Sequence, residues 1–319
     1  YAALPKPKNK EEEKRYVEQF VSGLKKLLSK ENNWTFLQPL LLSIDYCAQC
    51  QTCCDACPVY LASGNNDLYR PTYRSEIFRR LVNKYLKPGG KLLAKLNRRD
   101  IELNWTTISR LYELSYRCNL CRRCAQTCPM GVDNALITRE LRKLFSQELG
   151  WAPKELHEKG TVLQLEVGSA TGLRPHVARD NFQFLDEDFT ETTGIEVSTP
   201  WDKKGADVLL IHSAGDIVSF PESVIAFTIL CNATKVNWTL SSEVGGYDGV
   251  NYGVFYDDVQ LARVAIRHAQ IARKLKVKKI VMGECGHQHK AFMTVADRLL
   301  TGELNILRES VMTFLENIV

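Results

Sequence analysis

Apolar residues recur through the first half of the chain at three- and four-residue steps, the spacing that lines one face of a helix. Over residues 11–31 the stripe is Val17, Phe20, Val21, Leu24, Leu27 and Leu28, with Lys and Glu between them. Stripes of this kind face a core far more often than a partner. Residues 75–85 and a run from Ile108 towards Cys118 read the same way, and Pro88-Gly89-Gly90 interrupts the pattern. Residues 135–149 close the series, with Gly150 placed to stop the helix. The most apolar early stretch, 34–44, is short and broken by Pro39, so it cannot span a bilayer.

Over 151–205 the periodicity fades. Gly168-Ser-Ala-Thr-Gly172 and a polar, acidic run over 180–193 predict an extended linker. From Ala206 the pattern changes again. Apolar runs at 207–211, 235–240 and 279–282 predict buried strands, alternating with helices over 221–231 and from Asp257 or Asp258 to Leu275. The long second helix has an apolar face of Leu261, Val264, Ala265, Ile271 and Leu275. Strand, helix, strand, helix, strand predicts a parallel sheet. Active groups of such sheets gather at the strands' carboxyl ends, where Glu284-Cys285-Gly286-His287 falls. The chain ends in an apolar run over 304–319 that reads as helix.

Charge divides at the same place. Residues 1–150 hold 25 Lys and Arg against 15 Asp and Glu, a net of +10, and the remainder has 17 against 22, a net of −5. The halves are expected to face different partners. No nucleic-acid-binding motif accompanies the basic half, so nucleic acid is not an expected partner. No span or export signal is visible at the start Tyr1-Ala-Ala-Leu-Pro.

The chemistry lies in the cysteines, 11 in 319 residues, nine of them before residue 129. An odd, clustered set points to thiolate ligands in a reducing, cytoplasmic compartment rather than to paired disulfides. Cys47-x-x-Cys50-x-x-Cys53-x-x-x-Cys57-Pro58 recurs as Cys118-x-x-Cys121-x-x-Cys124-x-x-x-Cys128-Pro129. This is the ligand run of two-cluster ferredoxins, in which the fourth cysteine serves the other cluster. The expected sets are Cys47, Cys50, Cys53 and Cys128 for one [4Fe–4S] cluster, and Cys118, Cys121, Cys124 and Cys57 for the other. Pro58 and Pro129 turn the chain at each cluster. Structural zinc and disulfides are the competing readings, and zinc ribbons do not need a triple-plus-one run twice. Cys54 is surplus, and Cys231 sits in an apolar helix and reads as core. Cys285 is the candidate reactive thiol, with His287 as its partner in moving protons, set against a purely structural role in a strand-to-helix turn. Arg117, Arg122 and Arg123 flank the second run and would raise a cluster's potential there, unless they are simply solvated.

The expected fold is therefore α+β and multidomain. A helical, ferredoxin-like domain with two [4Fe–4S] clusters covers 1–150, the linker 151–205, and an α/β domain with a parallel sheet 206–319.

With Trp238-Thr-Leu-Ser-Ser-Glu243, Asn251-Tyr-Gly-Val-Phe255 and Glu284-Cys-Gly-His287, the chain resembles the heterodisulfide-reductase-type (HdrD-like) iron–sulfur family, and within it the DsrK-type subunits of DsrMKJOP membrane complexes. That resemblance implies an oxidoreductase subunit of sulfur metabolism. It would carry electrons between a membrane quinone pool, through a haem-b membrane subunit (DsrM-like), and a sulfur–sulfur bond on a small sulfur-carrier protein (DsrC-like). It also implies attachment at the membrane periphery through partner subunits. The family's modules of the form Cys…Cys-Cys-Gly…Cys-x-x-Cys hold a noncubane [4Fe–4S] cluster. Here the module is degenerate: Glu243-Val-Gly-Gly-Tyr-Asp-Gly249 stands in the Cys-Cys-Gly region and Gln288 in place of the last cysteine. Such a cluster would need residues beyond this chain, so a C-terminal part is expected to be missing, the third strand lacking the partners of a full sheet. A non-catalytic electron-transfer module is the alternative. Relatives that oxidise glycerol phosphate or lactate are a third reading, disfavoured because they keep intact modules.

Overall fold

A computed structural model describes residues 1–98, 100–283 and 285–318. The chain forms two units. The first holds residues 1–153 together with 255–257, and the second holds 154–254 and 258–319.

The first unit is helical: α1 (Lys10–Leu27), α2 (Trp34–Asp45), α3 (Thr52–Asp55), α4 (Pro58–Ala62), α5 (Pro71–Leu86), α6 (Gly90–Leu96), α7 (Trp105–Tyr116), α8 (Arg123–Gln126) and α9 (Asn134–Leu149). Asn9, Asn104 and Asp133 cap α1, α7 and α9, each side chain accepting a backbone N–H of the first turn. Gly150 ends α9 in the left-handed conformation, as the sequence predicts. Helix α9 is the hub, packed by α1, α2, α5 and α7. Phe20, Leu24, Leu40, Phe78, Ile108, Leu111, Leu141 and Phe145 form one core around it. Helix α2 runs through Pro39 instead of breaking there, because Phe36, Leu40 and Ile44 are buried on either side of it.

Charged residues of α9 are buried too. Glu140 is fully enclosed and paired with Arg139 (3.0 Å) and Lys143 (2.6 Å), while Asn33 bonds both Glu140 (2.9 Å) and Lys143 (2.8 Å). Removing one partner would strand a buried charge, so these groups stand or fall together.

The second unit begins with α10 (Lys154–Leu156) and α11 (Leu163–Val167), joined by a π-wound turn over His157–Val162, and then α12 (Pro175–Thr193). The region expected as an extended linker is thus largely helical. Its acidic run belongs to a 19-residue helix, held by Ala178 and Phe182 buried on one side, with Asp186 half-buried against Thr199 and Asp180, Glu187, Asp188 and Glu191 exposed. Then follow β1 (Val208–Ile211), α13 (Ala214–Ser219), α14 (Pro221–Ala233), β2 (Trp238–Thr239), α15 (Asp258–Leu275), β3 (Lys279–Met282), α16 (Gly286–His289), α17 (Asp297–Leu299), β4 (Leu307–Ser310) and α18 (Val311–Ile318). All four strands are parallel, in the order β2-β1-β3-β4. The terminal run read as helix supplies β4 before α18, so β3 has the neighbour that sequence reading denied it. Four residues of 307–310 pair with β3, and only the following eight wind into helix.

The chain leaves β1 towards β2 on one side and returns to β3 on the other. Their carboxyl ends form a topological switch point, the place where such sheets bind ligands. His212 follows β1 there, its ring between Phe182 (6.0 Å) and Phe227 (5.5 Å) and its Nε2 buried without a partner.

Burial holds the His212 pKa down at about 4, from an ordinary value of 6.5. Between those two values only the unfolded chain takes up this proton. The native unit therefore loses about 1.4 kcal/mol per pH unit on acidification through this one residue. The buried carboxyls of Asp248 and Asp186 are raised and act in the opposite sense. Replacing His212 by Leu should flatten the acid loss of stability between pH 6.5 and 4 by about one proton, read from amide exchange of β1 and β3. An unchanged slope would show that the imidazole is not buried neutral.

Candidate functional site: two cysteine loops and a switch point

The sequence repeat is also a backbone repeat. Gln49 and Gln51 in the first run, and Leu120 and Arg122 in the second, all have φ between 56° and 65°. Four non-glycine residues in the left-handed region cost about 1–2 kcal/mol each. Such strain persists where surrounding structure over-determines it, often at functional sites. In each loop the second cysteine (Cys50, Cys121) is exposed and the third (Cys53, Cys124) is buried at the head of a four-residue helix, α3 or α8.

The N-terminus of α9 lies against thiols from both runs. Val132 N–H donates to Cys128 Sγ (3.3 Å), Asn134 Nδ2 to Cys53 Sγ (3.7 Å), and Ala135 N–H to Cys124. Cys53 feels the charges of Cys47, Cys128, Cys54 and Cys124, and Cys124 those of Cys118 and Cys121. Cys53 thus lies among thiols of both runs, with Cys54 and Cys124 ahead of Cys47 and Cys128. Cys50 sits on the exposed loop beside Thr52 (3.4 Å), and Cys57 is buried at the head of α4 near Cys54. Burial pushes the Cys53 and Cys124 thiols up to about 12, while the Thr52 hydroxyl and N–H lower that of Cys50. Cys54 is buried beside Cys53, with its thiol raised by desolvation.

Two buried arginines, which sequence reading missed, lie beside these thiols. Arg79 donates to the carbonyls of Ile44 (3.0 Å) and Ser43 (2.9 Å), and its Nη1 is buried without a partner. It lies in the field of Cys47, Cys53 and Cys128. Arg142 donates to the carbonyl of Ser115 (2.6 Å), to that of Cys118 and to that of Phe255 (3.1 Å), and it feels Cys118. Their buried positions on α5 and α9 were the only signal, visible once the helices are drawn. Of the flanking arginines predicted from sequence, Arg122 pairs with Asp133 (2.7 Å) and Arg117 with Glu113 (3.8 Å).

Residues 255–257 close this region from far along the chain. Phe255 packs with Cys53, Cys118, Leu120, Cys124 and Ala135. The Tyr256 carbonyl accepts from Ser146 Oγ (2.8 Å), and Asp257 accepts from the Tyr1 hydroxyl (2.7 Å).

Among the described residues no three His, Cys, Asp or Glu side chains converge where one metal ion could be held. A single zinc ion needs thiolates about 4 Å apart. A cluster of four irons takes one thiolate per iron and spreads them. Loops that display thiols singly, N–H groups aimed at sulfur and an orphaned Arg79 N–H suit an anionic group bound by thiolates.

In the second unit, Cys285 is half-exposed just past β3, at the N-cap of α16; Glu284 of the same motif lies outside the described residues. His287 donates from Nε2 to the Asn251 carbonyl (3.2 Å), with its ring edge-on to Tyr252 at 5.4 Å. Burial lowers its pKa. Tyr252 in turn feels the charge of Cys285. Gln288 turns inward, donating to the Ile211 carbonyl (2.5 Å) at the end of β1. A Cβ on Gly249 would stand 2.3 Å from its amide. Asp248, fully buried, accepts the N–H groups of Ala170 (2.9 Å), Val250 (3.0 Å) and Ala214 (3.1 Å). Polar side chains locked by hydrogen bonds thus occupy the region where the resembled module carries ligands. Cys231 is buried in the apolar core around Phe227.

The family model of a 4Fe–4S dicluster domain matches residues 43–132, which lie in the first unit. The chain is 30% identical over 282 residues to the Hdr-like menaquinol oxidoreductase iron–sulfur subunit 2 of Archaeoglobus fulgidus, covering 85% of this chain and 48% of that protein. It is 30% identical over 256 residues to the Hdr-like menaquinol oxidoreductase iron–sulfur subunit of Archaeoglobus profundus, covering 76% of this chain and 44% of the relative. These similarities support membership of the Hdr-like iron–sulfur family. The chain spans about half the length of the curated relatives it matches. No solved structure matches it.

The Gly249–Gln288 contact makes a direct test of the switch-point packing. Gly249→Ala should destabilise the second unit by about 1–3 kcal/mol, as overpacking does. Adding Gln288→Ala should recover part of that loss. Denaturant unfolding of both variants measures it, and equal losses in single and double variants would show that the two do not touch.

Proposed function

We propose that this chain is the electron-carrying part of a quinone-linked oxidoreductase of the Hdr-like family. Cys47, Cys50, Cys53 and Cys128 would hold one [4Fe–4S] cluster and Cys118, Cys121, Cys124 and Cys57 the other, with Pro58 and Pro129 turning the chain beside them. The observation that carries this reading is the duplicated left-handed loop, whose thiols meet N–H groups at the head of α9. Bound clusters would supply one-electron transfer. The chain's own part is electrostatic. Helix dipole, N–H donors and buried guanidinium groups favour added negative charge and raise a cluster's potential.

The electron acceptor we propose is a sulfur–sulfur bond, as on a DsrC-like carrier, with a DsrM-like haem-b subunit on the quinone side, as in DsrK-type proteins. Reduction of one such bond takes two electrons and two protons and yields two thiols. Cys285, with His287 to move a proton, is the group of this chain that could meet the sulfur substrate. A noncubane cluster would need residues from outside the chain. The second reading, a non-catalytic electron module, is favoured by Gln288 and Asp248, which fill the module region with hydrogen-bonded polar groups. Among the described residues no helix is long and apolar enough to cross a membrane, which agrees with peripheral attachment through a partner.

Cluster-loaded protein should carry about eight irons per chain. Cys285→Ala should leave both cubane spectra intact and abolish sulfur-substrate turnover in the assembled complex. Zinc in place of iron would overturn the cluster reading, and full turnover in Cys285→Ala would make that thiol structural.

Arg79→Gln should shift the midpoint potential of one cluster negative and leave the other unchanged, followed by paramagnetic-resonance redox titration. Arg79→Lys, which keeps the charge, should restore most of the shift. Equal movement of both signals would count against a local charge effect.

A further inference from the structure

Helix α6 docks on one side only. At its start, a Cβ on Gly90 would stand 2.0 Å from the Asn83 carbonyl oxygen of α5, so glycine lets the two helices meet, and Ala94 is half-buried. Leu92, Leu93 and Leu96 point the other way, 65%, 54% and 70% exposed. At 100° per residue they cover an arc of about 100°. Lys91 and Lys95 lie along the border of that arc and Arg98 just beyond the helix, all exposed. No acidic residue occurs between Lys87 and Arg98. The next one, Asp100, is already paired with Lys84 at 2.5 Å.

Exposed leucines bordered by basic side chains, with only Asp100 nearby to share between Lys84 and Lys95, define a surface with one kind of complement. Protein interfaces bury apolar groups but are depleted in lysine. The interface of an anionic bilayer takes both: leucines enter the headgroup boundary while lysine stems lie along it and their ammonium groups reach lipid phosphates. We propose that α6 is a direct contact with an anionic lipid surface. Leu92, Leu93 and Leu96 insert between headgroups, and Lys91, Lys95 and Arg98 bind the phosphates. This contact is additional to any attachment through a partner subunit, and it does not depend on the cluster assignments or on Cys285.

The test is co-sedimentation of the cluster-loaded chain with vesicles at low ionic strength. One set is equimolar phosphatidylglycerol and phosphatidylcholine, and the other is phosphatidylcholine alone. Binding to the anionic set should be at least tenfold stronger and should weaken steeply with salt. Leu92→Ser/Leu93→Ser/Leu96→Ser and Lys91→Glu/Lys95→Glu should each lose at least tenfold, with the visible absorption of the clusters unchanged. Leu93→Trp should show a blue-shifted emission, relative to the unsubstituted chain, only with anionic vesicles. Three results would overturn the proposal: no binding to pure anionic vesicles, equal binding by the triple-serine variant, or sedimentation with no shift in the Leu93→Trp emission. Association that appears only when a membrane protein is present in the vesicle would assign α6 to a protein partner and would overturn it as well.

Discussion

The structure of the first unit depends on what happens at the head of α9. Within four residues the chain presents two backbone N–H groups and an amide side chain to three thiols drawn from both cysteine runs. A helix N-terminus is the one place in a buried core where N–H groups lack internal partners and the peptide dipoles favour negative charge. Those N–H groups favour the ionised thiol, against the burial and neighbouring charges that raise Cys53 and Cys124 to about 12. The other features follow. Helix α9 must be central, so its charged residues are buried and paired among themselves. Arg79 approaches from α5 and Arg142 from α9 itself, and the strained loops turn the first three thiols of each run inward or outward in the same order twice.

The second unit applies the same rule to a different end. A parallel sheet leaves carbonyl groups at its carboxyl edge and a crevice where the chain reverses direction. In this chain the crevice at β1 and β3 is filled by Gln288, Gly249 and Asp248, each bonded to backbone groups, with the Gln288 Oε1 buried without a partner. A buried amide left without its carbonyl partner costs about 1–3 kcal/mol, so the Gln288–Ile211 bond fixes this packing. Cys285 and His287 are left at the rim of the crevice, part-exposed, beside Tyr252.

Local chemistry made much of this legible in the sequence. The two cysteine runs, the stop of α9, the strands β1 and β3, and the apolar face of α15 follow from spacing and periodicity. Strand β2, expected over 235–240, was legible although only two residues pair. Compensated or ambiguous elements were not. Helix α12 hides in an acidic run because two residues anchor it. Strand β4 sits in an apolar stretch that helix and strand fit equally well.

What the sequence by itself determined is a local pattern: eight cysteines at ferredoxin spacing, one proline-terminated run repeated 71 positions on, because the loop is local and its spacing is its geometry. Tertiary structure alone decided what surrounds those thiols. Arg79, Arg142, Asn134 and Phe255 reach them across 24 to 202 residues of chain, and Gln288 reaches the end of β1 across 77. Periodicity marks which side of an element is buried. It does not say which other element lies against that side, since this depends on how all the buried surfaces pack together at once.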